Sequence, residues 1–312
     1  MLADDAPAMD APAMLATSMS TAAPAFRPAL TLGPQPGATV LLLEITSRAE
    51  GSPTPEPPPV PPTPPIVTSG LVLHLDAGNA ASYPGSGTAW TDLSGNGNNG
   101  TLINGPTYSA ADGGQIIFDG VNDYVNTNYT QPITAQYTLE IWYKSTDSNN
   151  GGIGKTLINN RGSGAGISIS FGINPIEDPV GSTAKIGAFW MGGDSDSYIS
   201  QIASSSNNFN DNSWRQMIGV FSQASGTNVT PSSFSIFQNG VFISATTTSG
   251  ILQFGAKTSP LGPGLGGTQF MRAEAWGTFL QGSLAIARIY NRALSASEVS
   301  QNFDANRARF GL

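Results

Sequence analysis

The chain has 312 residues, of which only 11% are charged, and a formal net charge of −8 at pH 7. The acidic excess is spread along it: six acidic and two basic residues precede Gly70, fifteen and eleven follow, −4 on each side. This excludes a basic nucleic-acid footprint, and the lack of cysteine excludes a disulfide framework or a thiolate metal site.

The start, "MLADDAPAMDAPAML", is acidic and broken by Pro7 and Pro12. A secretory signal needs a positive start and an unbroken apolar stretch, so synthesis without export by that route is expected. The longest apolar run, Val40–Leu43, is far short of the roughly 20 residues that span a bilayer, so no membrane insertion is expected. Residues 1–51 read as a low-complexity arm with a direct repeat, DAPAM, at Asp5–Met9 and Asp10–Met14. Such a composition buries too little apolar surface to offset its ordering entropy. The arm holds one strand-like run, Thr39–Thr46. Either the arm is a floppy tail, or Val40, Leu41, Leu42, Leu43 and Ile45 anchor it to a partner by adding a strand to that partner's sheet.

Residues 52–68 follow as a linker, and "SPTPEPPPVPPTPPIV" (52–67) carries nine prolines. Proline fixes φ and lacks an N–H, so the run adopts polyproline II, rising about 3.1 Å per residue. Residues 53–65 would span roughly 40 Å. The boundary of the next domain is placed at Ser69, and a head begun there is expected to fold without the arm.

From Ser69 to Leu312 the pattern is densely β. "LVLHL" (71–75), "QIIFD" (115–119), "YTLEIWYK" (137–144), "GISISFGI" (166–173), "AKIGAFWM" (184–191) and "WRQMIGVF" (214–221) read as strands. In "SFSIFQNGVFISAT", Asn239-Gly240 between alternating segments signals a hairpin. "GSLAIARIY" (282–290) is a last strand. Ser295 and Glu298 then form a capping box for a helix over about 296–307, closed by Gly311. Many short antiparallel strands indicate an all-β, two-sheet sandwich with a short C-terminal helix.

Several segments occur here in the order seen in laminin-G-like domains of the concanavalin A-like lectin/glucanase superfamily. They are "GLVLHLDAGNAASYPGSGTAWTDLSGNGNNGTL", "GGQIIFDGVNDYVNT", "SWRQMIGVF" and "LAIARIYNRALSASEVSQNF". The chain resembles that family over about 69–312, in the version common in phage virion proteins and aquatic bacterial proteins. The resemblance implies an antiparallel jelly-roll sandwich, usually a binding module for glycan or protein, with calcium as the one cofactor to test at the rim. Where the family's last strand reads Ile-Asp-Glu-Val, this chain has Leu284, Ala285, Ile286 and Ala287, so that strand is expected to be simply packed.

The residues point away from an enzyme. A retaining glycosidase needs two carboxyls about 5 Å apart, hence acids at i, i+2 or i, i+4 on one strand face. Glu177-Asp178 and Asp194/Asp196 lie in turn-rich segments, and Glu140 stands alone on its strand. The single histidine, His74, excludes a multi-imidazole metal site and reads as structural. For calcium, which takes several oxygens on bent loops, the candidates are Asp119, Asn122 and Asp123, with Asp92 and Asn96 nearby in sequence. The alternative is that these side chains serve a local turn. Loop-like aromatics that could meet a sugar face are Tyr83, Trp90, Tyr198 and Trp276, with Phe270. Trp142, Trp190 and Trp214 lie in strands and are expected in the core.

The sequence therefore predicts a phage virion appendage. Its arm (1–51) docks on capsid or tail proteins, its linker spaces, and its head faces outward to cell-surface glycan as one copy of a homo-oligomer. The competing readings are a cement protein without ligand and a secreted bacterial adhesin, which would be extracellular rather than on the virion surface.

Overall fold

The computed structural model describes residues 63–129, 136–146, 155–159, 168–173, 186–192, 198–204, 211–222, 233–243, 246–248, 269–273 and 278–312. The chain divides into two units between Pro59 and Val60, and every described residue belongs to the second. The arm and its anchoring candidates, Val40 to Leu43 and Ile45, lie outside the described residues.

The described residues form two antiparallel sheets. One contains β1 (Leu71–Asp76), β4 (Thr107–Ser109), β5 (Gln115–Asp119), β7 (Gln136–Ser145), β12 (Arg215–Ser222), β13 (Phe234–Gln238), β14 (Val241–Ile243) and β19 (Gln281–Tyr290). The other contains β2 (Ala89–Trp90), β3 (Gly100–Ile103), β6 (Tyr124–Thr127), β8 (Lys155–Asn159), β9 (Ser168–Ile173), β10 (Ile186–Gly192), β11 (Tyr198–Ser204), β15 (Thr246–Thr248) and β16 (Gln269–Phe270). Two short strands, β17 (Arg272–Ala273) and β18 (Thr278–Phe279), pair with each other. The first sheet runs β14-β13-β12-β7-β19-β5-β4, with β1 also on β19; the second runs β15-β11-β10-β9-β8-β16-β6-β3-β2.

The alternation of the long strands explains the architecture. On β7, Tyr137, Leu139, Ile141 and Tyr143 enter the inter-sheet core, where they meet Trp90, Leu102, Val125, Leu157 and Phe270 of the second sheet. The intervening Thr138, Glu140 and Trp142 face the other way and are buried too. The first sheet is thus covered on both faces, which is why "YTLEIWYK" and "SLAIARIY" read as nearly continuous apolar runs. On β19 a bulge between Leu284 and Ile286 resets the alternation. Leu284 and Ala287 join the inter-sheet core, while Ala285 and Ile286 join the outer cluster. All four are fully buried, as the missing carboxylates imply.

The outer cover is the C-terminal helix α1 (Ala296–Asn306) and a 3-10 turn over Arg307–Phe310. The capping box forms as expected: Ser295 Oγ accepts from the Glu298 N–H, and Glu298 reaches back to the Ser295 N–H at 2.9 Å. Gly311 closes the segment at φ 70°. Trp142 stacks on Phe303 (ring centroids 5.8 Å) and on Phe310 (4.7 Å), and Trp214 packs on Phe310. The hairpin turn also sits where expected, with Asn239 and Gly240 at φ 50° and 77°.

The domain boundary moves. Val67 is buried in a cluster with Ile218, Phe237, Tyr290, Leu294 and Val299. Gln301 donates to the Pro65 carbonyl at 2.8 Å. The head therefore begins at or before Pro65 rather than at Ser69, because the last linker residues fill a groove beside α1.

Candidate functional site

At one end of the sandwich, loops from both sheets meet. β5 ends at Asp119, β6 begins at Tyr124, and Gly120–Asp123 turn between them. Gly120 has φ +77°, and a Cβ there would lie 2.8 Å from the Cβ of Gln281, so glycine is required on both counts. Asp119 Oδ1 accepts from the N–H groups of Val121 (2.8 Å) and Asn122 (3.3 Å), an Asx turn. Asp123 Oδ2 accepts from the Asp119 N–H at 3.2 Å. Asn104, at φ 67° after β3, donates its side-chain amide to the Asn122 carbonyl at 2.8 Å.

The turn is held rigid, with Val121 70% exposed at its tip. Beside it, the rings of Tyr124 and Phe279, both half-buried, lie 6.2 Å apart. Asn122 is exposed, and among the described residues its side-chain amide takes no hydrogen bond. Backbone N–H donors, Val121 first, hold the Asp119 carboxyl below the usual range. Burial pushes the Asp123 carboxyl up, and the neighbouring Asp119 charge adds to that. The arrangement sets two half-buried aromatic rings, an exposed amide and a carboxylate on one rim, the kinds of group that meet a sugar's apolar face and hydroxyls.

The three calcium candidates, Asp119, Asn122 and Asp123, are brought together, but each carboxylate spends an oxygen on the backbone. Among the described residues no group of three or more Asp, Glu or His side chains converges, whereas calcium takes six to eight oxygens. Asp92 is committed as well: its two oxygens accept from the N–H groups of His74, Ser94 and Asn98 and from the Ser94 hydroxyl, at 2.7–2.9 Å. Asn96 Nδ2 donates to the Ser94 hydroxyl and the Leu71 carbonyl.

Two of the aromatic candidates need correction. Trp90 is fully buried and Tyr83 nearly so, with the Tyr83 hydroxyl donating to the Gly87 carbonyl at 2.7 Å. Both belong to the inter-sheet core, where no ring face is left for a sugar; Phe270 is buried there too. Tyr198 begins β11, where only the backbone is described, and Trp276 lies outside the described residues. Trp142 and Trp214 are buried as expected, though beneath the C-terminal segment rather than between the sheets. Of Trp190 only the backbone, in β10, is described.

Glu140 is not solitary. It is 0% exposed, and Oε1 accepts from Trp142 Nε1 (3.0 Å), Gln216 Nε2 (2.9 Å) and Arg288 (2.9 Å), while Oε2 accepts from Asn302 Nδ2 (2.8 Å). Arg288 is its direct cross-strand partner on β19. With four donors and no solvent, this carboxylate organises the packing of α1 and offers nothing to a substrate. His74 pairs with Arg288 on the other side of β19. Burial, then the Arg288 guanidinium, push its imidazole down to about 3, so it stays neutral.

Two packed antiparallel sheets with a loop-built rim define a lectin-like β-sandwich. The chain belongs to the concanavalin A-like lectin/glucanases superfamily: the laminin-G-type family model matches residues 119–300, more than half of it. No curated protein matches the chain. Similar solved structures include the binding domain of Paraclostridial Mosquitocidal Protein 1, at 19% identity and TM-score 0.48, covering 75% of this chain and 52% of that one. Domain 4 of AbnA, a GH43 extracellular arabinanase from Geobacillus stearothermophilus in complex with arabinotriose, gives 16% identity and TM-score 0.48, covering 74% and 97%. The botulinum neurotoxin serotype D ligand binding domain in complex with N-acetylneuraminic acid gives 14% and 0.49, covering 76% and 51%. The chain thus spans about half the length of the first of these. Among the described residues no helix is long and apolar enough to cross a membrane.

Proposed function

We propose that this chain is a non-catalytic virion appendage whose head binds a glycan through the rim at Asn104, Asp119–Tyr124 and Phe279. The observation that carries the binding role is the rigid turn that presents the uncommitted Asn122 amide beside the Tyr124–Phe279 pair. The non-catalytic reading is supported by the sequence, which sets no two acids on one strand face, and by Glu140, whose oxygens already accept from four buried donors. Support for attachment through residues 1–51 comes from their composition: a repetitive arm with one strand-like run, followed by a proline segment that needs no further ordering to extend. Several copies on one particle would raise the effective concentration of weak contacts.

A glycan array probed with the full chain tests the head. Binding that is lost in Asn122→Ala and Tyr124→Ala, with unchanged melting, supports the rim; binding that survives both, or no binding at all, refutes it. Reducing-end release from a polysaccharide would refute the non-catalytic reading. Deleting residues 1–51 tests the anchor: incorporation into particles is expected to disappear, and normal copy number would refute attachment through the arm.

A further inference from the structure

The proline segment's last residues are gripped at alternate positions. Gln301 holds the Pro65 carbonyl (2.8 Å), and Arg292 Nε holds the Ser69 carbonyl (2.9 Å). Val67 is held twice: its N–H donates to Asn302 Oδ1 at 2.8 Å, and its carbonyl accepts from the Tyr290 hydroxyl at 3.1 Å. Its side chain fills a cluster between Ile218, Phe237 and Val299. Asn302, fully buried on α1, turns its Nδ2 to Glu140 Oε2 (2.8 Å) and to the Tyr290 oxygen (2.9 Å). One amide therefore bridges the segment on one side and the buried Glu140–Arg288 pair on the other.

We infer that residues 65–69 are a strap that latches α1 onto the first sheet, so that tension or cleavage in the proline segment acts on the helix through Val67 and Asn302. The direction of the coupling follows from the bonds. When Val67 leaves, Asn302 Oδ1 is orphaned in the interior, and α1 loses an apolar and a polar contact together. Among the described residues the inter-sheet core cluster includes no residue of the strap, so the opening is local to α1. No glycine or charge interrupts 63–69, so the strap has no built-in hinge.

Hydrogen exchange on the full chain tests this with Val67→Asp, which puts a carboxylate into the apolar cluster, and Gln301→Ala, which removes only an exposed bond. In Val67→Asp, amides of Val299–Phe303 should exchange at least roughly tenfold faster, while those of Leu139–Tyr143 in β7 keep their wild-type rates. Gln301→Ala should speed the same helical amides by less. Unchanged helix rates in Val67→Asp, or an equal acceleration in helix and β7, would overturn the strap.

Discussion

Replacing Glu140 by Gln is the sharpest probe of how the head holds together. The substitution keeps size and shape and removes one charge. Arg288, 1% exposed, then keeps its charge without a counter-ion. Breaking a buried pair from one side costs about 3–5 kcal/mol. A second cost follows from donor counting. Gln can turn its oxygen toward Trp142, Gln216 and Arg288, but its NH2 then faces Asn302 Nδ2, donor against donor. Flipping Asn302 relieves that clash and creates another at the Val67 N–H, which now points at an NH2. For a head of this size each kcal/mol is about 2–4 °C, so melting should fall by roughly 10 °C. In urea the midpoint should drop with an unchanged slope, since the surface exposed on unfolding is the same. The double variant Glu140→Leu/Arg288→Met should recover only part of the loss, because it removes the orphaned charge but leaves Trp142 Nε1, Gln216 Nε2 and Asn302 Nδ2 without their acceptor. A loss below about 1 kcal/mol in Glu140→Gln would refute the claim that this carboxylate is a structural keystone.

Stability should also depend on His74 in acid. Its folded value, about 3, lies below the ordinary histidine value of 6.5. The unfolded chain therefore binds the proton first, and stability is lost as pH falls below 6.5; His74→Gln should flatten the curve between pH 6.5 and about 4.5, measured as urea midpoints. Below about pH 4.5 Glu298 adds to the His74 loss, which continues to about pH 3: Glu298 is held at about 2 chiefly by its bond to Arg292, and its contribution fades as pH falls from 4.5 toward 2. Gly240→Ala should cost about 1–2 kcal/mol, because φ is +77° and the new Cβ meets Phe303 at 3.1 Å. Millimolar calcium should leave the melting temperature where a chelator leaves it, since the rim carboxylates serve their own backbone; a concentration-dependent rise would place a cation there.

The sandwich was legible because its strongest signals are local. The Asn239-Gly240 turn and the Ser295/Glu298 box each specify a backbone conformation within four residues. The polar network was not legible: Glu140 looks isolated until β19 brings Arg288 beside it, and that pairing spans most of the domain. Tyr83 and Trp90 misled for a related reason. A loop aromatic reads as exposed unless something tells the chain to fold inward, and here that is a hydroxyl bond to Gly87 and an edge-to-face contact between the two rings. Proline content hid the strap, since composition says the segment is extended but not that Val67 has a groove to fill.

The rim claim is tested most directly by mapping backbone amide shifts of the full chain during titration with the glycan an array selects. The account predicts saturable shifts concentrated at Asn104, Asp119–Tyr124 and Phe279, with α1 and β7 unmoved. Shifts centred elsewhere on the sandwich, with those rim residues unchanged at saturation, would contradict it.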